Sequence, residues 1–154
     1  MPARILIIED QVGRSTQLSA YLEDHHYLVS ITEYKEEGFE QLSHLWSDVV
    51  IIDLPLAGGQ SLELYKKLKQ TWALVPYQAP LVIFYNRERS LSFLMKAYRA
   101  GVDFIVEQEA AKSGSALQEL RIVIEAMLLR ATRIRFTSTP DQPVDQLPWF
   151  YEAL

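Results

Sequence analysis

Two short apolar runs of this chain each end in carboxylates. Ile5–Ile8 is followed by Glu9 and Asp10, and Val49–Ile52 is followed by Asp53. If both runs are parallel strands, their carboxyl ends meet at the edge where open α/β sheets place their sites. Carboxylates meeting there would repel one another unless a cation lay among them, and magnesium prefers such oxygen ligands. The simpler interpretation is that strands often end in Asp or Glu where the chain leaves the core. That interpretation suffices for one strand, whereas two such strands favour a site.

The composition excludes several classes of protein. The chain has 154 residues, 49% hydrophobic and 23% charged, which is typical of one globular domain. It contains no cysteine, so disulfide and thiolate chemistry are excluded. Its net charge of −5 argues against general nucleic-acid binding, which needs a basic face. Without a signal peptide or an apolar run of membrane-spanning length, we expect a cytoplasmic protein that binds neither nucleic acid nor membrane.

Apolar, β-branched runs alternate with amphipathic stretches along the chain, which predicts a parallel sheet covered on both faces. Five such strand–helix units predict a flavodoxin-like, doubly wound (βα)5 fold with strand order 2-1-3-4-5. A glycine, Gly101, is expected to end the fourth helix. The predicted strands are 4–9, 27–32, 48–53, 81–85 and 102–106, and the predicted helices lie at about 13–24, around 39–45, and at 60–72, 90–99 and 113–133.

The last part of the chain differs in composition from the rest. We divide the sequence into a domain over residues 1–133 and a proline-containing tail over residues 134–154. The tail ends in an aromatic cluster of Trp149, Phe150 and Tyr151. Since buried aromatic side chains contribute large apolar areas, we expect the cluster to pack on the last helix or on a partner subunit.

With these segments in order, the chain resembles the receiver domains of two-component response regulators over roughly residues 3–131. The likeness rests on the order and spacing of four segments, none of which is specific alone: Ile5–Asp10, Val49–Asp53, Pro80–Tyr85 and Ala100–Val106. The resemblance implies that Glu9, Asp10 and Asp53 hold magnesium. It also implies that Asp53 accepts a phosphoryl group from a partner histidine kinase.

Other positions depart from the family. The resemblance implies a Ser or Thr at the end of the fourth strand, where this chain has Tyr85, and a Lys after the fifth strand, where it has Glu107 and Gln108. We also count Phe104 among the implied switch positions. Phosphoryl transfer depends on positive charge near the transferred group, and Glu107 would substitute repulsion for attraction.

These departures leave three hypotheses open. The first is a degenerate receiver, or pseudo-receiver, that acts by protein–protein interaction with weak or no phosphorylation of Asp53. The second is a working magnesium-dependent receiver phosphorylated at Asp53. The third is a small magnesium-dependent phosphatase. Because the sequence offers no general acid or base beyond the carboxylates, we favour a protein that is not an enzyme.

The predicted last helix also bears on partners. Leu120 and Ile124 lie on its inward-facing stripe, whereas Ile122 and Leu129 lie off that stripe and nearly align with each other. A second apolar stripe indicates a contact surface. The resemblance implies a histidine kinase or another signalling protein as partner, together with a homodimer formed through the predicted helices 90–99 and 113–133.

Overall fold

The β-branched runs form a five-stranded parallel sheet. A computed structural model describes residues 2–35, 47–54, 56, 61–74, 79–87, 90–108 and 115–137, and gives only the backbone of residues 115 and 131–137. The strand order is β2-β1-β3-β4-β5, which confirms the predicted flavodoxin-like topology. The strands are β1 (Arg4–Glu9), β2 (Leu28–Glu33), β3 (Val49–Asp53), β4 (Leu81–Asn86) and β5 (Phe104–Glu107).

Four helices are described: α1 (Thr16–Asp24), α2 (Ser61–Trp72), α3 (Leu91–Ala100) and α4 (Ser115–Thr137). They correspond to the predicted helices 13–24, 60–72, 90–99 and 113–133. The predicted helix around 39–45 lies outside the described residues. Helix α4 continues past Arg133 to Thr137, so the first four residues assigned to the tail are helical. Residues 138–154, with their aromatic cluster, also lie outside the described part of the chain.

The core has two halves, one on each face of the sheet. In β1, Leu6 and Ile8 face one half, where the buried residues of α2 and α3 pack, whereas Ile5 and Ile7 face the other, where α1 and α4 pack. This division follows from the two-residue period of a strand, which sends successive side chains to opposite faces. Burial on both faces explains why β3 is continuously apolar up to Asp53.

The strand register aligns the functional positions at one edge of the sheet. Ile8 pairs with Ile52, Asp53 pairs with Tyr85, and Asn86 pairs with Glu107. The carboxyl ends of β1, β3, β4 and β5 therefore lie next to one another, at the edge that open α/β sheets use for their sites.

Helix α3 carries a capping residue at each end. The Ser90 side chain accepts a hydrogen bond from the Phe93 amide, and Gly101 follows the helix with φ +90° in the left-handed region. The predicted glycine C-cap is confirmed. Within the described residues, no helix has the length and apolar character needed to cross a membrane.

Candidate functional site

The structure brings the predicted carboxylates to the same edge of the sheet. Glu9 ends β1, Asp10 follows it directly, and Asp53 ends the neighbouring strand β3. Glu9 and Asp53 are almost fully buried, with 4% and 1% of their surface exposed. A buried carboxylate needs hydrogen-bond or charge partners to offset the loss of its hydration, so the chemistry of the site depends on what contacts these oxygens.

Both oxygens of Asp53 accept hydrogen bonds from side chains. The Ser15 hydroxyl donates to Asp53 Oδ2 at 2.9 Å, and Gln108 Nε2 donates to Asp53 Oδ1 at 3.0 Å. Ser15 precedes α1 at the N-cap position, but its side chain makes no capping hydrogen bond. Its amide donates instead to Glu9 Oε2 at 2.8 Å. Ser15 therefore links the carboxylates at the ends of β1 and β3.

Arg14 supplies a positive charge between the strand ends. Its Nη1 lies 3.1 Å from Asp10 Oδ1, and its Nε lies 3.7 Å from Asp53 Oδ2. Its Nη2 donates to the Leu54 carbonyl oxygen at 2.7 Å. Only 14% of the Arg14 side chain is exposed, so these contacts are partly shielded from solvent. The guanidinium thus contacts oxygen atoms that follow β1 and β3.

These contacts bear on the predicted magnesium site. Magnesium requires oxygen ligands converging on one point, but Asp10 and Asp53 both turn an oxygen toward Arg14. In the described ranges, no group of three or more His, Cys, Asp or Glu side chains is arranged to hold a metal ion. Arg14 therefore stands beside two of the three predicted magnesium ligands, Asp10 and Asp53. Ligation of magnesium by Glu9, Asp10 and Asp53 stays a prediction. The side chains as arranged do not fit a divalent ion.

Tyr85 is buried beside Asp53 at the end of β4. It is 6% exposed and packs in the core half formed with α1 and α4. Burial, and secondarily the negative charge of Asp53, raises the pKa of the Tyr85 phenol from 10.0 to about 12, against an opposing effect of Arg87. The phenol is therefore neutral at physiological pH. Its backbone oxygen accepts hydrogen bonds from the Leu54 amide and from Gln108 Nε2.

Glu107, which ends β5, and Gln108, which follows it, make different contacts. Gln108 contacts Asp53, whereas the Glu107 carboxylate oxygens lie 3.5 Å from Asn86 Nδ2. The side chain that contacts Asp53 Oδ1 is therefore a neutral amide. Arg87 Nε donates to Gln108 Oε1 at 2.6 Å, which fixes the orientation of that amide.

Phe104 lies away from this edge. It begins β5 opposite Ile83, with 38% of its surface exposed, and so stands at the start of the strand that ends at Glu107. The structure places Phe104 on the surface around β5, not among the side chains that contact Asp53.

Sequence reasoning missed Arg14 and Ser15, which contact the carboxylates, and named Gln108 only beside Glu107 as a departure from the family. Asp10 and Arg14 are four residues apart, a spacing that is typical of ion pairs, but here they precede a helix. Ser15 and Gln108 are 38 and 55 residues away from Asp53 in the sequence, so no local sequence pattern predicts their contacts with it.

Comparisons with known proteins bear on the family of the chain. Residues 5–114 match the model of the response regulator receiver domain family. The chain is 30% identical, over 70 residues, to the phosphate regulon transcriptional regulatory protein PhoB of Klebsiella pneumoniae. The alignment covers 46% of this chain but only 31% of that relative, so the chain spans less than a third of its length.

Solved structures share the fold at low sequence identity. A CheY-like receiver domain protein from Methanospirillum hungatei is 21% identical, with a TM-score of 0.68, over 86% of this chain and 98% of that one. The chemotaxis response regulator CheY4 of Vibrio cholerae is 18% identical, with a TM-score of 0.61, over 80% of this chain and 99% of that one.

Proposed function

Because this chain belongs to the response regulator receiver domain family, we propose that it is an atypical receiver of two-component signalling. It acts in the cytoplasm by protein–protein interaction, with weak or no phosphorylation of Asp53. One observation carries this proposal: both Asp53 oxygens are engaged by side chains of the same chain. Ser15 and Gln108 donate to them, and Arg14 lies beside Oδ2.

A phosphoryl acceptor must present a lone pair to the incoming phosphorus, with space in line for the leaving group. Asp53 is 1% exposed, and using either oxygen as nucleophile requires Ser15 or Gln108 to give up its hydrogen bond. Each hydrogen bond to a charged group contributes about 1.5–3 kcal/mol. The resting arrangement is therefore stabilised against the reaction.

Charge near Asp53 also disfavours a stable aspartyl phosphate. A unit positive charge about 4 Å away is worth roughly 4 kcal/mol at an effective dielectric near 20. Gln108 provides only a neutral amide at the Asp53 contact. The Arg14 charge is shared among Asp10, Asp53 and the Leu54 carbonyl. A phosphoryl group would add negative charge to a site whose nearby carboxylates share one guanidinium.

The burial of Tyr85 supports the proposal that this chain does not change conformation in response to phosphorylation. The family uses a small hydroxyl at this position to contact the phosphoryl group. Here a buried phenol occupies the position and packs into the core. Moving it would open a cavity in close-packed surroundings, which is costly.

The proposed mode of action needs a surface for partners. Helix α3 exposes Leu91, Met95 and Tyr98 at helical spacing, and α4 exposes Ile122 and Leu129. Together with Phe104 on the edge strand β5, we refer to these exposed side chains as the α3–α4 surface. We propose that it binds a second copy of the chain or a signalling partner such as a histidine kinase. The net charge of −5 opposes nucleic acid as a partner.

One experiment distinguishes the proposed function from two alternatives, a working receiver and a phosphatase. The full chain is incubated with acetyl phosphate and magnesium, and its intact mass is measured beside Asp53→Asn and beside a receiver known to be phosphorylated. We expect no Asp53-dependent gain of a phosphoryl group under conditions that label the competent receiver. Stable labelling that Asp53→Asn abolishes would establish a working receiver. Continuous release of phosphate that needs Asp53 would establish a phosphatase.

A further inference from the structure

Arg14 contacts a set of oxygens of the kind that a divalent ion would use. They are one oxygen each from Asp10 and Asp53 and the backbone carbonyl oxygen of Leu54. Magnesium in proteins is bound by one or two carboxylates with further oxygen ligands, often water. The planar guanidinium engages the same chemistry through fixed hydrogen-bond donors.

We propose that the Arg14 guanidinium is the resident cation of this site and that it takes the place of a divalent ion. The chain is consequently insensitive to magnesium, and the oxygens that Arg14 engages form a latent metal site that removal of its side chain exposes. This inference does not rest on the proposed function, because metal binding is measurable whether or not Asp53 is ever phosphorylated.

The local sequence explains how Arg14 reaches this position. Gly13 has φ +87°, a left-handed conformation that favours glycine, and a Cβ added there would meet nothing within 4 Å. Within the same loop, the Arg14 amide donates to the Gln11 carbonyl at 3.2 Å. This turn lies between the end of β1 and the start of α1, so it returns the Arg14 side chain across the carboxyl ends of the sheet.

Charge explains why a fixed guanidinium excludes a metal ion. A divalent ion bound by Asp10 and Asp53 would lie beside the Arg14 guanidinium and be repelled by it. The carboxylates would also have to give up their hydrogen bond and ion pair with Arg14 before they could ligate the ion. Replacing Arg14 by Met removes the charge and the donors while keeping an unbranched side chain.

The test compares metal responses of the full chain and four variants. Binding of Mn²⁺ is followed by its paramagnetic resonance signal, and urea unfolding is measured with magnesium and with a chelator. The variants are Arg14→Met, Arg14→Lys, the double variant Arg14→Met with Asp10→Asn, and Arg99→Met as an exposed control in the last turn of α3.

We expect the unaltered chain, Arg14→Lys and Arg99→Met to unfold alike with magnesium and with chelator. Arg14→Met should bind Mn²⁺ at least about tenfold more tightly, since a repulsive unit charge has gone. Its unfolding midpoint should rise with magnesium, because an ion that binds only the folded state stabilises it. The Asp10→Asn change should reverse this gain.

Two results would overturn the inference. One is an unaltered chain that magnesium stabilises as much as it stabilises Arg14→Met. The other is a folded Arg14→Met protein that binds Mn²⁺ no better than Arg99→Met. If Arg14→Met does not fold, Arg14→Lys and the unaltered chain decide. Indifference of both to magnesium supports a resident side-chain cation at position 14, and stabilisation of either contradicts it.

Discussion

The immediate neighbours of Asp53 determine what its carboxylate can do. The side chain is buried at the end of β3, yet it has a hydroxyl donor, an amide donor and a guanidinium nearby. An uncompensated buried charge costs several kcal/mol, and removing one partner of a buried pair typically costs about 3–5 kcal/mol. The donors that stabilise Asp53 in place therefore also occupy its oxygens.

The buried phenol of Tyr85 makes stability depend on pH in the alkaline range. Its pKa is 10.0 in an unfolded chain and about 12 in the folded protein. Below pH 10 both states keep the proton, so the contribution is fully present. Between pH 10 and about 12 the unfolded state loses the proton first, so stability falls as pH rises.

Replacing Tyr85 by Phe removes the ionisable phenol. The free energy of unfolding should then fall less steeply from pH 10 to 12 than in the unaltered chain. Urea unfolding at a series of pH values measures the slope. Tyr98→Phe, at a tyrosine that is 58% exposed, is the matched control. Equal slopes for Tyr85→Phe and the unaltered chain would show that burial does not perturb this phenol.

At this scale the sequence located the carboxylates but not their partners. Glu9, Asp10 and Asp53 end apolar runs, and strand ends are visible in a local pattern. Arg14, Ser15 and Gln108 reach these carboxylates through contacts fixed by the packing of α1 and by the residue that follows β5. The sequence names Glu107 and Gln108 together after the fifth strand but does not say which one contacts Asp53; in the structure Gln108 does.

At the scale of elements, the loops at strand and helix ends set the geometry of the site. Ser15 precedes α1, but its hydroxyl donates a hydrogen bond to Asp53 and does not cap the helix. At the other end of the sheet, Gly101 ends α3 in the left-handed region, where an L side chain is strained. The Tyr65 hydroxyl donates to the Gly101 carbonyl at 2.7 Å, which ties α2 to this turn.

Gly101→Ala should lower the free energy of unfolding by about 1–2 kcal/mol, the cost of a left-handed alanine. A Cβ there would also lie 2.6 Å from Lys69 Nζ, which contacts the Ala100 carbonyl at 3.2 Å. Urea unfolding of Gly101→Ala alone and combined with Lys69→Ala separates the backbone cost from the steric cost. A Gly101→Ala protein as stable as the parent would contradict the assigned backbone conformation.

The strands were the best predicted elements because their apolar runs are long and bounded by polar residues. β1 agrees at both ends, and the other strands differ by one or two residues at one or both ends. Helix α4 ends at Thr137, four residues after the predicted end at Arg133. The last turn carries no local signal of its own, whereas the change in composition begins at Thr137.

At the scale of the whole molecule, the candidate site and the proposed partner surface lie at different places. The carboxyl edge holds Asp53 and its partners, whereas the α3–α4 surface lies around the edge strand β5. Leu91 and Leu129 are each 72% exposed, and Ile122 is 59% exposed. Exposed apolar side chains that form a contiguous patch are typical of contact surfaces.

We predict that the chain forms a homodimer through the α3–α4 surface. The double variant Met95→Glu with Ile122→Glu should shift the chain toward monomer, because the new charges would be buried in the interface without partners. Sedimentation velocity measures the change. Leu74→Glu, at a leucine that is 84% exposed and follows α2, is the control. A chain ending at residue 137 tests whether the aromatic tail contributes to association. A monomeric parent chain at high concentration would contradict the dimer.

The most direct test of the central claim asks whether Asp53 responds to a phosphoryl mimic. Beryllofluoride with magnesium is titrated into the isotope-labelled full chain, and the amide resonances around Asp53, Tyr85 and Gln108 are followed beside Asp53→Asn. We predict that these resonances do not move beyond the small changes shared with Asp53→Asn. A saturable shift of these amides that requires Asp53 would contradict the account and establish a working receiver.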